Sequence, residues 1–255
     1  MKSKYGKAVL AVATVLCLGT AAYAEDAAPA EEKKSILGDW IPGTFSATIS
    51  GYTDYSFRGV SQTQTGFAGQ MGMTWKQDCG FYIGSWGSNL HYGPGDDANW
   101  EQDILTGYTN SIGNFTYDVH ATGYVYPKAS KYNYFEATAG GSYNINDIAT
   151  VRATFIYSPD YFGTLDNAGY FLFGFNVPLP IPENRFASVS LDGNLGYTVS
   201  EQQVYASNNH YLDWNLGLIV ALSKTISFDL RYVDTDLDIG SIANHRFVAG
   251  ATLSF

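Results

Sequence analysis

Long apolar runs are nearly missing from this sequence. Ala8 to Leu18 is the one extended stretch, and at about eleven residues it falls short of the ~20 a helix needs to cross a bilayer. Any crossing must then be made by strands closed into a barrel, because backbone N–H and C=O groups in lipid need internal partners. Cysteine is almost absent: Cys17 and Cys79 are the only two. Cys17 falls in the leader, so Cys79 has no partner for a disulfide, and no thiol or zinc site is implied. Basic residues are scarce, 14 Lys and Arg against 24 Asp and Glu. Removing Lys2, Lys4 and Lys7 of the leader leaves 11 basic residues and a net charge of −13. That excludes nucleic acid as a partner. No phosphate-binding loop or zinc-ligand spacing is present, and no cofactor or metal is expected.

What the chain does carry is aromatic and glycine-rich: 20 Tyr, 15 Phe, 5 Trp and 27 Gly, with only 15% charged residues. Residues 1–24 read as a secretory signal. They combine a Lys-rich start, the short apolar core and a small-x-small site at Ala22-Tyr23-Ala24, with cleavage expected after Ala24. Residues 25–43 are Ala, Pro, Glu and Lys rich and read as a solvated periplasmic tether.

From Thr44 the pattern changes to alternation. About twelve segments recur, near 44–58, 66–76, 80–91, 99–109, 115–126, 133–144, 148–158, 168–177, 185–199, 209–222, 226–236 and 244–255. Each meets the ~9–11 residues that a tilted membrane strand requires. Tight breaks (Asp78-Cys79-Gly80, Ser111–Asn114, Asn146-Asp147, Ser223–Thr225) alternate with longer polar ones (Gly59–Thr65, Gly93–Ala98, Pro127–Tyr132, Pro159–Asn167, Glu201–Asn208, Leu237–Ala243). The proline-rich Pro178–Asn184 departs from the short-turn rule. The fold class expected over 44–255 is all-β: a transmembrane antiparallel up-and-down barrel of about twelve strands. Its short turns and both termini would be periplasmic, and its longer loops extracellular.

The end of the chain fits. Phe247, Ala249, Ala251, Leu253 and Phe255 alternate with Arg246, Gly250, Thr252 and Ser254. An apolar edge strand invites aggregation unless it is paired, and a barrel pairs last strand with first. The segment resembles the carboxy-terminal sorting signal of outer-membrane barrels, with Phe247, Leu253 and Phe255 as the assembly signal read by the barrel assembly machinery.

A wider resemblance runs through the chain. Phe57-Arg58-Gly59-Val60-Ser61-Gln62-Thr63 is similar to a motif of the TorF-type porin family of proteobacterial outer membranes. So are Phe81–Asn89, Tyr117–Val119, Tyr124–Pro127, Ser158–Gly163, Asp213–Gly217 and Tyr232–Asp236. The resemblance implies a barrel in the outer membrane, in contact with lipid and lipopolysaccharide, but it carries over no active-site residues.

About twelve strands enclose an interior too wide for apolar side chains to fill, so the apolar rows should face outward. Phe171, Phe173 and Phe175 form one such row; Leu212, Trp214, Leu216 and Leu218 another; Ile226, Phe228, Leu230 and Tyr232 a third. Tyr55, Tyr108 and Tyr197 would sit at the interfaces. The lumen would then be lined by Asp54, Arg58, Glu101, Asp103, Asp118, His120, Glu136, Arg152, Asp192, Asp213, Asp229, Arg231 and Arg246. Eight carboxylates face four arginines there, a formal −4. Facing lipid, each charge would cost ~2–4 kcal/mol near the midplane.

Two arrangements of these charges are open. In one, Arg58, Arg231 and Arg246 form a basic wall opposite Glu101, Asp103, Asp118 and Glu136. In the other, each arginine pairs with a nearby acid, Arg231 with Asp229 and Arg58 with Asp54, and the network braces or plugs the barrel. The function expected is passive diffusion of small hydrophilic solutes or ions. A non-conducting barrel acting as a surface interaction or structural protein is the first alternative, and a barrel hydrolase the last. An enzyme is not expected: Asp118 and His120 lie two residues apart on one face, but no nucleophile is aligned with them. The acids Asp234, Asp236, Asp238, Asp96 and Asp97 read as solvated loop residues rather than a Ca²⁺ site.

Overall fold

The structure is a computed structural model that describes residues 42–163, 166–181, 188–203 and 209–255. The leader, with Ala22 and Ala24, and the tether as far as residue 41 lie outside the described residues. Among the described residues there are fourteen strands: β1 (Thr44–Tyr52), β2 (Ser56–Phe57), β3 (Val60–Ser61), β4 (Ala68–Lys76), β5 (Phe81–Asn89), β6 (Trp100–Ile112), β7 (Phe115–Val125), β8 (Tyr134–Ile145), β9 (Ala149–Ser158), β10 (Ala168–Pro178), β11 (Ser188–Ser200), β12 (His210–Ala221), β13 (Ile226–Thr235) and β14 (Arg246–Ser254). Twelve of them form one closed antiparallel barrel in the order β1-β14-β13 and so on down to β4, which pairs back with β1; β2 and β3 make a separate two-stranded hairpin.

Each barrel strand alternates because its two faces meet different surroundings. On β10, Phe171, Phe173 and Phe175 are exposed on the outer surface while Tyr170 and Leu172 are buried inside. The same holds on β12, with Leu212, Trp214, Leu216 and Leu218 outside and Asp213 and Asn215 within. Ile226, Phe228 and Leu230 continue the outer belt, and Tyr232 joins it half-buried, its ring 5.6 Å from that of Phe247.

The seam forms as alternation requires. β1 pairs with β14 in the register Thr48↔Ser254 to Tyr52↔Gly250. Beyond the strand end, Phe255 donates its N–H to Ala47 O at 2.9 Å and accepts from Ala47 N at 3.1 Å. Phe247, Leu253 and Phe255 all lie exposed on the outer face. Inside the seam, the Tyr52 ring covers Gly250 so closely that a Cβ there would meet Tyr52 Cδ1 at 2.1 Å.

One expected span departs. The first strand does not run over 44–58; it stops at Tyr52. Residues 54–63 are all buried, although 59–65 reads in sequence as a polar outer loop. The chain turns into the barrel, makes the β2–β3 hairpin, and returns to β4. Alternation survives through Tyr55, Phe57 and Arg58, but both faces of this segment meet protein, so the period of two carries no outside. Tyr55 is accordingly a lumen residue, 1% exposed, and not an interfacial one.

Candidate functional site

The site grows from the turn Arg58-Gly59. Phe57 pairs with Val60, leaving two central residues, and both have positive φ: +47° for Arg58 and +83° for Gly59. That is the hairpin connection whose twist matches the flanking strands. Glycine is required at the second position for another reason: a Cβ there would lie 2.8 Å from Thr235 Cβ and 2.9 Å from Asp213 Cβ. The hairpin therefore presses flat against β12 and β13. Its backbone is tied to two neighbouring loops, Ser61 N to Ile242 O at 2.8 Å and His91 N to Gln62 O at 2.9 Å.

Side chains secure the segment at both ends. Asp54 accepts from Ser61 Oγ at 2.5 Å, from Thr63 Oγ1 at 2.8 Å and from Arg246 Nε at 2.5 Å. Arg246 also donates to Gly59 O at 3.1 Å and to Ser56 Oγ at 2.9 Å. At the tip, Arg58 Nη2 reaches Glu136 Oε1 on β8 at 2.6 Å. Its guanidinium carbon lies 4.7 Å from the ring centre of Phe57, 5.1 Å from that of Tyr161 and 4.3 Å from that of Tyr170. A desolvated cation on aromatic faces gains about 2 kcal/mol from the ring quadrupoles. Arg58 is thus not on β1, does not pair with Asp54, and does not join Arg246 in one basic wall. Arg58 and Arg246 each take a separate carboxylate, as the paired arrangement anticipates, though Arg58 takes Glu136 instead of Asp54; the anticipated Arg231–Asp229 pair forms.

Tyrosine hydroxyls hold the remaining acids of this level. Glu101 accepts from Tyr55 at 2.8 Å and from Tyr126 at 2.9 Å. The second oxygen of Glu136 accepts from Tyr124 at 3.0 Å. Tyr124 stacks on Tyr134 with ring centres 4.2 Å apart, and Tyr134 meets Tyr161 edge-on at 5.6 Å. Asp213 accepts from Tyr170 at 3.2 Å, and Asp103 is buried on the same interior face. Such charge-assisted bonds are short and strong in a low-dielectric interior.

A second network lies on β9, β11, β12 and β13. Arg231, 1% exposed, donates to Asp229 Oδ2 and Asp192 Oδ1, each at 2.8 Å, and to Asn215 Oδ1 at 2.6 Å. Arg152 donates to the other oxygen of Asp192 at 2.6 Å and to Asn194 at 2.8 Å. A third group joins β5 and β7. Tyr82 donates to both oxygens of Asp118 at 3.0 and 2.9 Å, and His120 Nδ1 lies 2.6 Å from Asp118 Oδ1. No Ser or Cys side chain bonds to Asp118 or His120 among the described residues, so the geometry holds an oriented imidazole without a nucleophile beside it.

The residues missed from sequence are the aromatic ones: Tyr124, Tyr126, Tyr134, Tyr161 and Tyr170. Inward parity along β7, β8 and β10 is the available signal for Tyr124, Tyr126 just past the end of β7, Tyr134 and Tyr170; Tyr161 lies between β9 and β10 and carries no such signal. The loop acids act singly. Asp236 accepts from Leu212 N at 2.8 Å. Asp96 accepts from the Tyr132 hydroxyl at 2.6 Å and from Ala98 N at 2.8 Å, with Lys131 Nζ at 3.7 Å. Burial pushes the Asp96 carboxyl up, but the Tyr132 hydroxyl, the Ala98 N–H and Lys131 more than offset this and hold it below the ordinary range. No group of His, Cys, Asp and Glu able to hold a metal ion occurs among the described residues.

Solved structures share this architecture. A KdgM porin described in complex with disordered oligogalacturonate superposes with a TM-score of 0.57 at 10% identity, over 82% of this chain and 99% of that one. The NanC porin gives 0.56 at 10% identity, over 82% and 98%. At such identities the likeness is one of fold: the chain is a twelve-stranded barrel of the kind found in outer-membrane porins. No curated protein sequence matches the chain. Residues 38–252, all twelve barrel strands but the end of the last, match one family throughout, and the chain belongs to it: Gcw_chp, bacterial proteins of unknown function.

Proposed function

We propose that this protein is a porin-like channel of the bacterial outer membrane, passing small hydrophilic solutes or ions passively down their gradients. One observation carries the reading. A closed barrel of twelve strands turns apolar rows outward and encloses Asp54, Glu101, Asp103, Asp118, Glu136, Asp192, Asp213 and Asp229 with Arg58, Arg152, Arg231 and Arg246. An outward apolar belt suits lipid, and an inward charged lining suits water and polar solutes. Export through a leader cut after Ala24, a periplasmic short-turn end, lipopolysaccharide around the barrel and recognition of the last strand by the assembly machinery belong to the same reading. So does membership of the TorF-type porins, supported by the Phe57–Thr63 motif. The formal −4 of the lining favours cations.

A second reading, a non-conducting barrel, is favoured by the complete burial of residues 54–63 inside the long-loop end. Planar-bilayer recording of refolded protein separates the two. The channel reading expects conductance steps with potassium passing more readily than chloride, and about a twofold rise in that preference on replacing Arg152 by Ala, since the Arg152 side chain is the most exposed among those of Arg58, Arg152, Arg231 and Arg246. Folded protein that gives no current above bare lipid, and no solute-driven liposome swelling, would sink it in favour of the second.

A further inference from the structure

Arg58 sits where an arginine is costly. A long side chain at φ +47° leaves the conformations that L-residues prefer, at roughly 1–2 kcal/mol. Gln64 (φ +54°) and Thr65 (φ +60°) repeat the strain where the segment leaves the lumen. The β-branched Thr is an outlier there. Strain of this kind persists only where the surroundings over-determine it, and it marks working segments.

The surroundings of Arg58 are built for a planar cation. Tyr161 and Tyr170 present ring faces at 5.1 and 4.3 Å, and Glu136, 1% exposed, supplies a carboxylate oxygen at 2.6 Å. Tyr124 fixes that carboxylate from behind through its second oxygen. Asp213, 3% exposed, stands beside Tyr170; its Oδ1 accepts that phenol, and its Oδ2 meets no hydrogen-bond donor among the described residues. Two buried carboxylates therefore border a space that holds one guanidinium. The ownership of the walls matters. Tyr124, Glu136, Tyr170 and Asp213 belong to barrel strands β7, β8, β10 and β12, and Tyr161 to the connection between β9 and β10. Only Phe57 and Arg58 belong to the hairpin. The cage is barrel; the cation is a tethered insert.

We propose that this cage is a binding site for guanidinium-bearing solutes, and that Arg58 occupies it as a built-in competitor. A guanidinium bonds a carboxylate edge-on while stacking its plane on aromatic rings, which a compact ammonium does less well. A side chain tethered within the lumen acts at an effective concentration in the millimolar range or above, so a free solute gains the site only when Arg58 leaves it. Nothing in this requires conduction, and the site stands or falls apart from the channel reading.

The test is binding of methylguanidinium to refolded Arg58→Gly in detergent, measured by calorimetry with sodium chloride as control. Glycine favours positive φ, so the variant keeps the turn and removes only the side chain. Saturable binding at millimolar concentration is expected in Arg58→Gly. The parent should show none over the same range, and Arg58→Gly/Glu136→Gln about tenfold weaker binding. Should Arg58→Gly refold poorly, its refolding yield becomes the readout, since a ligand that binds only the folded state raises it. A higher yield in methylguanidinium than in sodium chloride supports the site. No saturable binding, affinity unchanged by Glu136→Gln, or equal yields in the two salts overturns it.

Discussion

Arg246 Nε donates to the Asp54 carboxylate at 2.5 Å, so the last barrel strand grips the segment that folds into the lumen at the long-loop end. The same carboxylate orders the segment internally through Ser61 and Thr63. Asp54→Ala takes the acceptor from three donors at once and leaves the half-buried Arg246 without a carboxylate, held only by Gly59 O, Asn244 O and Ser56 Oγ. Breaking a buried pair on one side costs about 3–5 kcal/mol. The expected result is a lower urea midpoint for the folded barrel in detergent and, in planar bilayers, a larger conductance step than the parent. A step of parental size from a destabilised variant would show that the segment does not narrow the path.

Gly59→Val addresses the hairpin without touching a charge. The new Cβ would press on Thr235 and Asp213 at under 3 Å, at a φ of +83° that valine avoids. The cost, about 2–4 kcal/mol, falls on the hairpin and not on the strand ladder. The barrel should keep its heat-dependent gel mobility, while limited proteolysis should cut within residues 56–62, where the parent is protected by burial.

The seam offers a steric counterpart. Gly250→Leu places a side chain into the Tyr52 ring, at a contact of 2.1 Å for the first carbon alone. Overpacking of this kind costs about 1–3 kcal/mol. Refolding yield should fall, and Tyr52→Ala in the same chain should recover much of it; a double variant as poor as the single one would refute the contact.

Acid should loosen the long-loop end through Asp96. Its carboxyl is held below the ordinary range, so its stabilising bonds are fully present above the unfolded-state value and are lost as pH falls toward and through the folded one. Amide exchange across residues 126–133 should rise on acidification from about pH 6 to about pH 3, and Asp96→Asn should flatten that change. Lys131 is solvent-exposed and adds little, so Lys131→Ala should leave the profile nearly intact.

Much of the fold is legible in the sequence because a strand of this closed barrel has two chemically opposite faces, an apolar outer one and a polar inner one. Phe171-Leu172-Phe173 and Leu212-Asp213-Trp214 read correctly for that reason, and the inward charges follow from the same parity. The inward segment is illegible for the converse reason. Asp54 to Arg58 alternates like a strand, yet both of its sides contact protein, so periodicity cannot report its direction. Arg58 and Glu136 are 78 positions apart, and only closure of the barrel brings them together. The strand tyrosines Tyr124, Tyr134 and Tyr170 are legible in parity but not in role, since an inward phenol looks alike whether it bonds a carboxylate or lines open water.

The hairpin and the seam differ sharply in the chain length they must close. The β2–β3 turn links residues three to five apart, and nearly every barrel strand pairs with the next one along the chain. The seam joins Thr48 to Ser254, and the Asp54–Arg246 bond spans 192 positions. Contacts of such separation form late, after the local ones have reduced the entropy of closure. The barrel should therefore assemble as an open curled sheet with a free edge on β1 and another on β14. The arginine that anchors the lumen segment arrives with the last edge to close, so the finished interior and the finished barrel appear in a single step.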